Sequence, residues 1–270
     1  MQLRKALPHQ NSNGRHRSCG ILALLTSSLL LAAGAAVARP DCDDWPSRGF
    51  FRQATAADVA RCLSQGADPK ARVQLGLGPG YTPLHWAAAF SETPEVVKML
   101  LDAGADPKAR DADGRTPLHW AKTPAVVKAL LDAGADLEAR AERGYTPLHW
   151  AAAFSETPEV VKMLLDAGAD PKARDADGRT PLHWAKTPAV VKALLDAGAD
   201  LEARAERGYT PLHWAAAFSE TPAVVKVLLD AGANPSAKTK EGKLPVELVP
   251  DDSPLRGTDV YWRLNEGRYR

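Results

Sequence analysis

A histidine and a tryptophan stand side by side five times in this chain. An imidazole can act as a general base or a zinc ligand, and an indole can stack on a bound molecule. The pairs occur within the phrase Thr-Pro-Leu-His-Trp-Ala, which recurs at alternating long and short intervals. Each pair therefore belongs to one unit of a repeat. The pairs are His85-Trp86, His119-Trp120, His149-Trp150, His183-Trp184 and His213-Trp214.

The repeat spacing argues against chemistry at the histidines. Packed helical units lie roughly 8–10 Å apart, whereas zinc needs nitrogen ligands about 2 Å away, so neighbouring histidines cannot share an ion. The chain also lacks a Gly-x-Ser-x-Gly motif and a phosphate-binding glycine loop, and its acidic residues recur in turns. We therefore predict a protein that is not an enzyme and that holds neither a metal nor a cofactor.

Each unit carries the signals of two helices and a turn. In the first unit Thr82 caps a helix and Pro83 begins it, and the same Thr-Pro pair at residue 93 begins a second helix. Gly104 ends the second helix, and Asp113-Gly114 favours a hairpin turn towards the next unit. The short units lack residues between the helices, so their first helix should have little more than one turn.

One long unit and one short unit together form a module that is duplicated. The sequence of residues 80–158 is identical to that of residues 144–222. Every candidate residue in the first module therefore has an equivalent in the second.

This arrangement resembles the ankyrin repeat. The resemblance is carried by the T-P-L-H-x-A phrase, the paired valines before Leu-Leu, the AGAD turn and the Asp-Gly finger, all in register. It implies an all-α solenoid of helix-turn-helix units with β-fingers and a capping repeat at each end. The expected boundaries are an N-terminal cap at 39–76, repeats at 77–110, 111–140, 141–174, 175–204 and 205–238, and a C-terminal cap at 239–270.

The resemblance also implies roles for the repeated pair. In ankyrin repeats this histidine ties neighbouring turns together by hydrogen bonds, with the cap threonine among its partners. The next residue is usually leucine or a similar apolar residue that packs between repeats. We expect the tryptophans to pack in the same place, with each indole N–H reaching a polar partner. The alternative is a column of rings that stacks on a small ligand.

Partner-binding positions follow from the same register. Ankyrin proteins usually bind partners at the finger tips and on the exposed side of the inner helices. This implies contacts at Asp113, Arg115, Arg143, Tyr145, Asp177, Arg179, Arg207 and Tyr209 on the fingers, and at Phe90, Phe154 and Phe218 on the inner helices. The phenylalanines have an alternative role as shields of the loop between helices. Leu75 and Leu77, in an unusually long finger, either contact a partner or fold back onto the N-terminal cap.

Residues 1–38 have the pattern of a secretory signal peptide. Four basic residues precede an apolar run at residues 21–31, and small residues lead to Ala36-Val37-Ala38. We expect cleavage after Ala38 and export from a bacterial cytoplasm, to the periplasm or the cell exterior. An uncleaved membrane anchor is the alternative, because the stretch approaches the roughly 20 residues of a span.

Cysteine usage agrees with export. Cys19 would leave with the signal, so Cys42 and Cys62 form an even pair that we expect to be disulfide-bonded.

Charge gives no indication of a nucleic-acid or membrane partner. Lysine and arginine number 34 and aspartate and glutamate number 33, and four of the basic residues lie within positions 1–38. The rest of the chain is mildly acidic, so it has no excess of basic residues with which to bind nucleic acid or an anionic membrane. The predicted function is a monomeric, non-catalytic module that binds an unidentified protein. The alternatives are an effector acting on host proteins, and a small-ligand receptor or enzyme that uses the tryptophan column.

Overall fold

The computed structural model describes residues 40–73, 80–155, 158–219 and 221–269. All of them belong to one compact unit, Arg39–Arg270. The predicted signal peptide lies outside the described residues, as do Leu75 and Leu77. Within the described residues, no helix is long and apolar enough to cross a membrane.

The described residues are almost entirely helical or in turns. In chain order the α-helices are α1 (Arg48–Gln53), α2 (Ala56–Ser64), α3 (Pro83–Phe90), α4 (Glu95–Asp102), α5 (Pro117–Trp120), α6 (Pro124–Asp132), α7 (Pro147–Phe154), α8 (Glu159–Asp166), α9 (Pro181–Trp184), α10 (Pro188–Asp196), α11 (Pro211–Phe218), α12 (Pro222–Asp230) and α13 (Asp259–Asn265). Short 3₁₀ helices lie at Cys42–Asp44, Glu142–Gly144, Glu206–Gly208, Pro245–Leu248 and Glu266–Arg268. Extended pairing in these ranges is limited to one antiparallel bridge between Val73 and Tyr81.

The helices stack in two layers. The inner layer runs through the odd-numbered helices from α1 to α11 and ends on the 3₁₀ helix Pro245–Leu248. The outer layer runs through the even-numbered helices from α2 to α12 and ends on α13. Each helix contacts mainly its neighbours in the stack, which is the architecture of a repeat solenoid. The predicted all-α solenoid fold is confirmed.

The inner helices alternate in length. α3, α7 and α11 have two turns each, whereas α5 and α9 have one. All five begin at the predicted Thr-Pro pair, because the threonine is extended and the proline occupies the first helical turn. The prediction of one-turn helices in the short units is therefore confirmed.

The core lies between the two layers. The leucine of each Thr-Pro-Leu-His phrase is buried, and the paired valines of α4, α6, α8, α10 and α12 are buried in the same cluster. In the first unit these residues are Leu84, Val96 and Val97, followed by Leu100 one turn later. The four- and three-residue spacing places one apolar stripe on each outer helix, and stacking joins the stripes into one continuous core.

A disulfide and an aromatic cluster close the N-terminal end. Cys42 and Cys62 are joined, with Cα atoms 5.4 Å apart, so the predicted pairing is confirmed. The ring of Trp45 lies 5.3 Å from Phe50 and 5.2 Å from Phe51 between centroids. Its indole nitrogen donates to the carbonyl of Asp68 at 2.8 Å. These contacts hold α1 over the end of the stack.

The C-terminal end is closed by α13. Thr258 caps this helix by accepting from the backbone nitrogen of Tyr261 at 3.2 Å. Arg263 then pairs with Asp230 on α12 at 2.7 Å. The last outer helix is thereby covered by a segment outside the five full repeats.

Candidate functional site

The five histidines form a column of hydrogen bonds through the stack. In the first unit His85 Nδ1 accepts from the backbone nitrogen of Thr82 at 3.2 Å and contacts its hydroxyl at 2.8 Å. Its Nε2 reaches the carbonyl of Arg115, in the next unit, at 3.0 Å. The other four bonds of the column join His119 to Tyr145, His149 to Arg179, His183 to Tyr209 and His213 to Lys243. The predicted structural role of the histidines is confirmed.

The hydrogen bonds select one tautomer. Because a backbone N–H points at each Nδ1, the ring proton must lie on Nε2, where it is donated to the carbonyl. Burial lowers the pKa of His85, His119 and His183 from the ordinary 6.5 to about 4. It lowers the pKa of His149 and His213 as well. The column is therefore neutral at physiological pH. Within the described residues no group of three or more His, Cys, Asp or Glu side chains could hold a metal ion.

Arg115 is enclosed by aromatic rings from three successive units. Its guanidinium carbon lies 4.6 Å from the ring centre of Trp120, 5.2 Å from Trp150 and 5.8 Å from Tyr81. A guanidinium over an aromatic face is attracted by the ring quadrupole, most strongly where water is excluded. The contacts tie the finger of one unit to the inner helices around it.

The same enclosure recurs in the second module around Arg179. The guanidinium carbon lies 4.5 Å from the Trp184 ring, 5.2 Å from Trp214 and 5.7 Å from Tyr145. The Arg179 Nε pairs with Asp175 at 2.8 Å. A terminal nitrogen donates to the Tyr145 hydroxyl at 2.7 Å. With carboxylate and rings on all sides, Arg179 is only 5% exposed.

These contacts correct the expectation that Arg115, Arg179 and the tyrosines Tyr145 and Tyr209 lie at the finger tips. Arg179 is buried and Arg115 nearly so, and both face the stack because their carboxylate partners and the rings lie there. Tyr145 and Tyr209 are half-buried beside the histidines of their own units. Burial raises the pKa of Tyr145. These side chains belong to the interior of the stack.

The tryptophans pack against one another and against these arginines. Trp120 lies 5.4 Å from Trp150, and Trp184 lies 5.3 Å from Trp214, between ring centres. This is the packing role that the sequence predicted. The prediction that each indole N–H reaches a polar partner is wrong for Trp86, Trp120 and Trp184. Their nitrogens are buried without a hydrogen-bond partner in the described part of the chain, because the neighbouring surfaces are aromatic rings.

Two of the three inner-helix phenylalanines are exposed. Phe154, at the end of α7, is 47% exposed, and Phe218, at the end of α11, is 52% exposed. Each packs on the tryptophan one helical turn before it, at 4.6 Å and 4.8 Å between ring centres. Phe90 differs because the N-terminal cap adjoins it, and the Arg48 guanidinium lies 5.4 Å from its ring. Phe90 is therefore half-buried.

The finger tips themselves carry charged side chains. Arg143, Arg207 and Asp113 are exposed, and Asp177 is half-buried. Arg143 and Arg207 have φ of 61° and 60°, in the left-handed region that favours glycine. Asp113 and Asp177 are paired with the buried arginines of their own fingers. Of the predicted finger arginines, Arg143 and Arg207 are thus the two that face solvent.

A second series of arginines, which the sequence reasoning missed, runs along the fingers. Each donates to the main-chain carbonyl of the residue at the same register in the next unit. The donors are Arg72, Arg110, Arg140, Arg174 and Arg204, and the last acceptor is the carbonyl of Lys238. The signal was present in the sequence, since an arginine recurs at one register in successive units. The repetition does not, however, reveal to which acceptor each of these arginines donates.

The comparisons with known proteins agree with this geometry. A model of the family described as "Ankyrin repeats (3 copies)" matches residues 52–141, 84–175, 120–205 and 148–239. Neurogenic locus notch homolog protein 4 of Homo sapiens is 51% identical over 59 residues, which are 22% of this chain and 3% of that protein. Protein fem-1 homolog A of Rattus norvegicus is 43% identical over 88 residues, which are 28% of this chain and 12% of that protein. The chain thus matches only a small part of these curated relatives.

Two solved ankyrin repeat domains are similar along most of their length. The ankyrin repeat domain of Bcl-3, a unique member of the IkappaB protein family, superimposes with a TM-score of 0.58 at 30% identity. The match covers 81% of this chain and 96% of the Bcl-3 chain. The ankyrin repeat domain of human ASB11 has a TM-score of 0.66 at 25% identity, and the match covers 82% of this chain and 97% of the ASB11 chain. Ankyrin repeat domains are protein–protein interaction modules, and the fold is typically a non-enzymatic scaffold. Together with the stacked units and the histidine column, these matches show that the chain belongs to the ankyrin repeat family.

Proposed function

We propose that this protein is an exported, non-catalytic module that binds a partner protein through the inner-helix face of its solenoid. The observation that carries the proposal is the exposure of Phe154 and Phe218 on two identical inner helices. Large aromatic side chains are enriched at interface centres, because they bury much apolar surface with few rotatable bonds. Two such rings on one layer of a rigid stack supply two contact points.

The tryptophans beneath the phenylalanines support this role. Trp150 and Trp214 contact the exposed rings, and each is itself packed on an enclosed arginine. A ring supported in this way loses little conformational freedom on binding, which favours affinity. The partly exposed tryptophans extend the aromatic surface next to each phenylalanine.

Capture of the partner protein from a periplasmic extract tests the binding face. The unaltered protein and the Phe154→Ala/Phe218→Ala double variant are each immobilised and exposed to the extract. The double variant should fail to retain the protein that the unaltered chain retains, while its helical circular dichroism stays unchanged. The matched control is Lys98→Ala/Lys162→Ala, which alters two exposed residues on the outer helices. Capture that persists in the phenylalanine variant, or that is lost equally in the lysine control, contradicts a binding site at these rings.

Export is supported by the apolar run at residues 21–31 with its small-residue end, and by a cysteine pair suited to an oxidising compartment. Intact-mass analysis of the protein from the periplasmic fraction and medium of a bacterial host is the test. The expected species begins at Arg39 and lacks two hydrogens because of the disulfide. Ala36→Arg/Ala38→Arg should block cleavage. Recovery of a full-length chain with free thiols from the cytoplasm contradicts export.

A further inference from the structure

The C-terminal fingers enclose an open groove lined by cationic side chains. Its volume is about 530 Å³, and its walls come from three successive fingers. Arg174 lies in the first finger (residues 174–179), Arg204 in the second (204–209) and Lys240 in the third (238–243). All three side chains are exposed, so their charges face the solvent of the groove.

Main-chain carbonyls, not carboxylates, hold the two arginines in place. Arg174 donates to the carbonyl of Arg204 at 2.5 Å, and Arg204 donates to the carbonyl of Lys238 at 2.8 Å. A carbonyl orients a guanidinium without neutralising its charge. The remaining N–H groups of each fork stay available for an anion.

Two glycines allow the arginines to lie close to the finger backbone. A Cβ added at Gly178 would lie 2.8 Å from Arg174 Nη2, and one at Gly208 would lie 3.4 Å from Arg204 Nη1. Both glycines also have positive φ, at 72° and 76°. The guanidinium groups are thus seated against bare backbone, which fixes their positions before any ligand arrives.

The acidic residues of the groove do not cancel this charge. Asp175 is buried and already pairs with Arg179 at 2.8 Å. Glu206 is the other carboxylate in the lining. Because Asp175 is paired with Arg179, Glu206 is the one lining carboxylate left to balance the three cationic side chains. The groove therefore carries an excess of positive charge.

The first copy of the duplicated module offers an internal comparison. Arg110 and Arg140 there correspond to Arg174 and Arg204, and they donate to the equivalent carbonyls. The register of Lys240, however, is occupied by Ala176, which is exposed. The third cation is therefore present only at the C-terminal end of the stack.

We propose that this groove binds an acidic segment of the partner protein, with its carboxylates on Arg174, Arg204 and Lys240. The proposal rests on the proposed function and adds the chemistry of the partner. Charge complementarity selects an anion, and bidentate carboxylate–guanidinium pairs suit the planar forks. The groove spans three fingers at ~10 Å per layer, so several carboxylates along one segment can be contacted together.

Titration with an acidic peptide tests the groove without the natural partner. Binding of a fluorescein-labelled peptide of ten glutamates to the purified protein is followed by fluorescence anisotropy at low and at near-physiological ionic strength. Lys240→Ala should weaken binding about three- to fivefold at low salt, the size of a single solvent-exposed ion pair. Lys162→Ala removes the same charge from α8 and should leave binding unchanged. Equal effects of the two substitutions, or no binding by the unaltered protein, overturn the proposal.

A gain-of-function variant strengthens the test. In the Lys240→Ala background, Ala176→Lys places the third cation beside Arg110 and Arg140 and should recover the three- to fivefold loss of affinity. Affinity that stays at the level of the Lys240→Ala variant contradicts the role of the third cation. A single-stranded oligonucleotide of the same charge that binds equally well contradicts the assignment to an acidic protein segment. Because the titration uses neither Phe154 nor Phe218, its failure is distinguishable from failure of the binding face.

Discussion

The guanidinium carbon of Arg179 lies 4.5 Å from the centre of the Trp184 ring, while the Arg179 Nε bonds to the Asp175 carboxylate at 2.8 Å. The same guanidinium reaches Tyr145 in the preceding unit and Trp214 in the following one. One buried side chain therefore joins three units of the stack. The coupling between units that a solenoid needs is thus partly electrostatic in this protein, in addition to its apolar core.

Removal of the Arg179 side chain should destabilise the stack strongly. Arg179→Ala leaves the buried Asp175 carboxylate without its partner, and breaking a buried ion pair in this way costs about 3–5 kcal/mol. Urea unfolding followed by circular dichroism measures the loss. The Arg179→Ala/Asp175→Ala double variant should lose less than the sum of the single losses. A loss below about 1 kcal/mol for Arg179→Ala contradicts this account.

Arg115→Ala provides the matched comparison in the first module. Its contacts are equivalent, but the side chain is 13% exposed against 6% for Arg179. Both carboxylates are buried, but the space that Arg115 vacates is more open to water than that of Arg179, so a smaller loss is expected.

Acidification should weaken the fold through the histidine column. The pKa of His85, His119 and His183 is about 4 when folded and about 6.5 when unfolded. As the pH falls, the histidines of the unfolded chain are therefore protonated before those of the folded chain. Their contribution to the free energy of unfolding is fully present above about pH 6.5 and is lost as the pH falls towards about 4. Between pH 7 and pH 5 the loss is about 2 kcal/mol for each of these histidines.

Urea unfolding at pH 7, 6 and 5 measures this dependence. A His119→Gln variant cannot titrate at that position, so its stability should fall less steeply with pH although it is lower at pH 7. Identical pH slopes for the variant and the unaltered protein contradict a neutral, buried imidazole at this site.

The left-handed backbone at Arg143 predicts two opposite substitution effects. A residue with a Cβ is strained at this φ of 61°, but asparagine tolerates the conformation better than arginine. Arg143→Asn should therefore raise the free energy of unfolding by up to about 1 kcal/mol, and Arg143→Val should lower it by about as much. Thermal unfolding of the two variants measures the difference, and a more stable valine variant contradicts the backbone assignment.

Deletion of residues 81–144 should leave a shorter, folded solenoid. The deletion removes one duplicated module and joins Gly80 to Tyr145, which restores the sequence that follows Gly80 in the unaltered chain. Stability in a solenoid is roughly a sum over units and their interfaces, so the midpoint of unfolding should fall while the transition stays cooperative. A product without a cooperative transition contradicts the independence of the module.

Much of the fold was predictable because its signals are local and repeated. The Thr-Pro pairs of the inner helices, the left-handed Gly104 and the loss of residues in the short units determine where helices begin and end. The predicted start of the second helix is one residue early, since α4 begins at Glu95 and Pro94 precedes it as the N-cap. The pairing of Cys42 with Cys62 followed from their being the two cysteines that lie after Ala38. Export, cleavage after Ala38 and the repeat boundaries remain predictions.

The candidate site was less predictable because its residues meet across units. The sequence by itself determined the repeat, the solenoid and the histidine column, since each depends on spacing within one unit or between adjacent units. Only the tertiary structure decided that Arg179 faces inward, that Phe218 is exposed while Phe90 is half-covered by the N-terminal cap, and that Lys240 completes a cationic groove. Identical sequence letters acquire different surroundings at different levels of the stack. Exposure and charge balance depend on the neighbouring units, which a residue's own repeat does not contain.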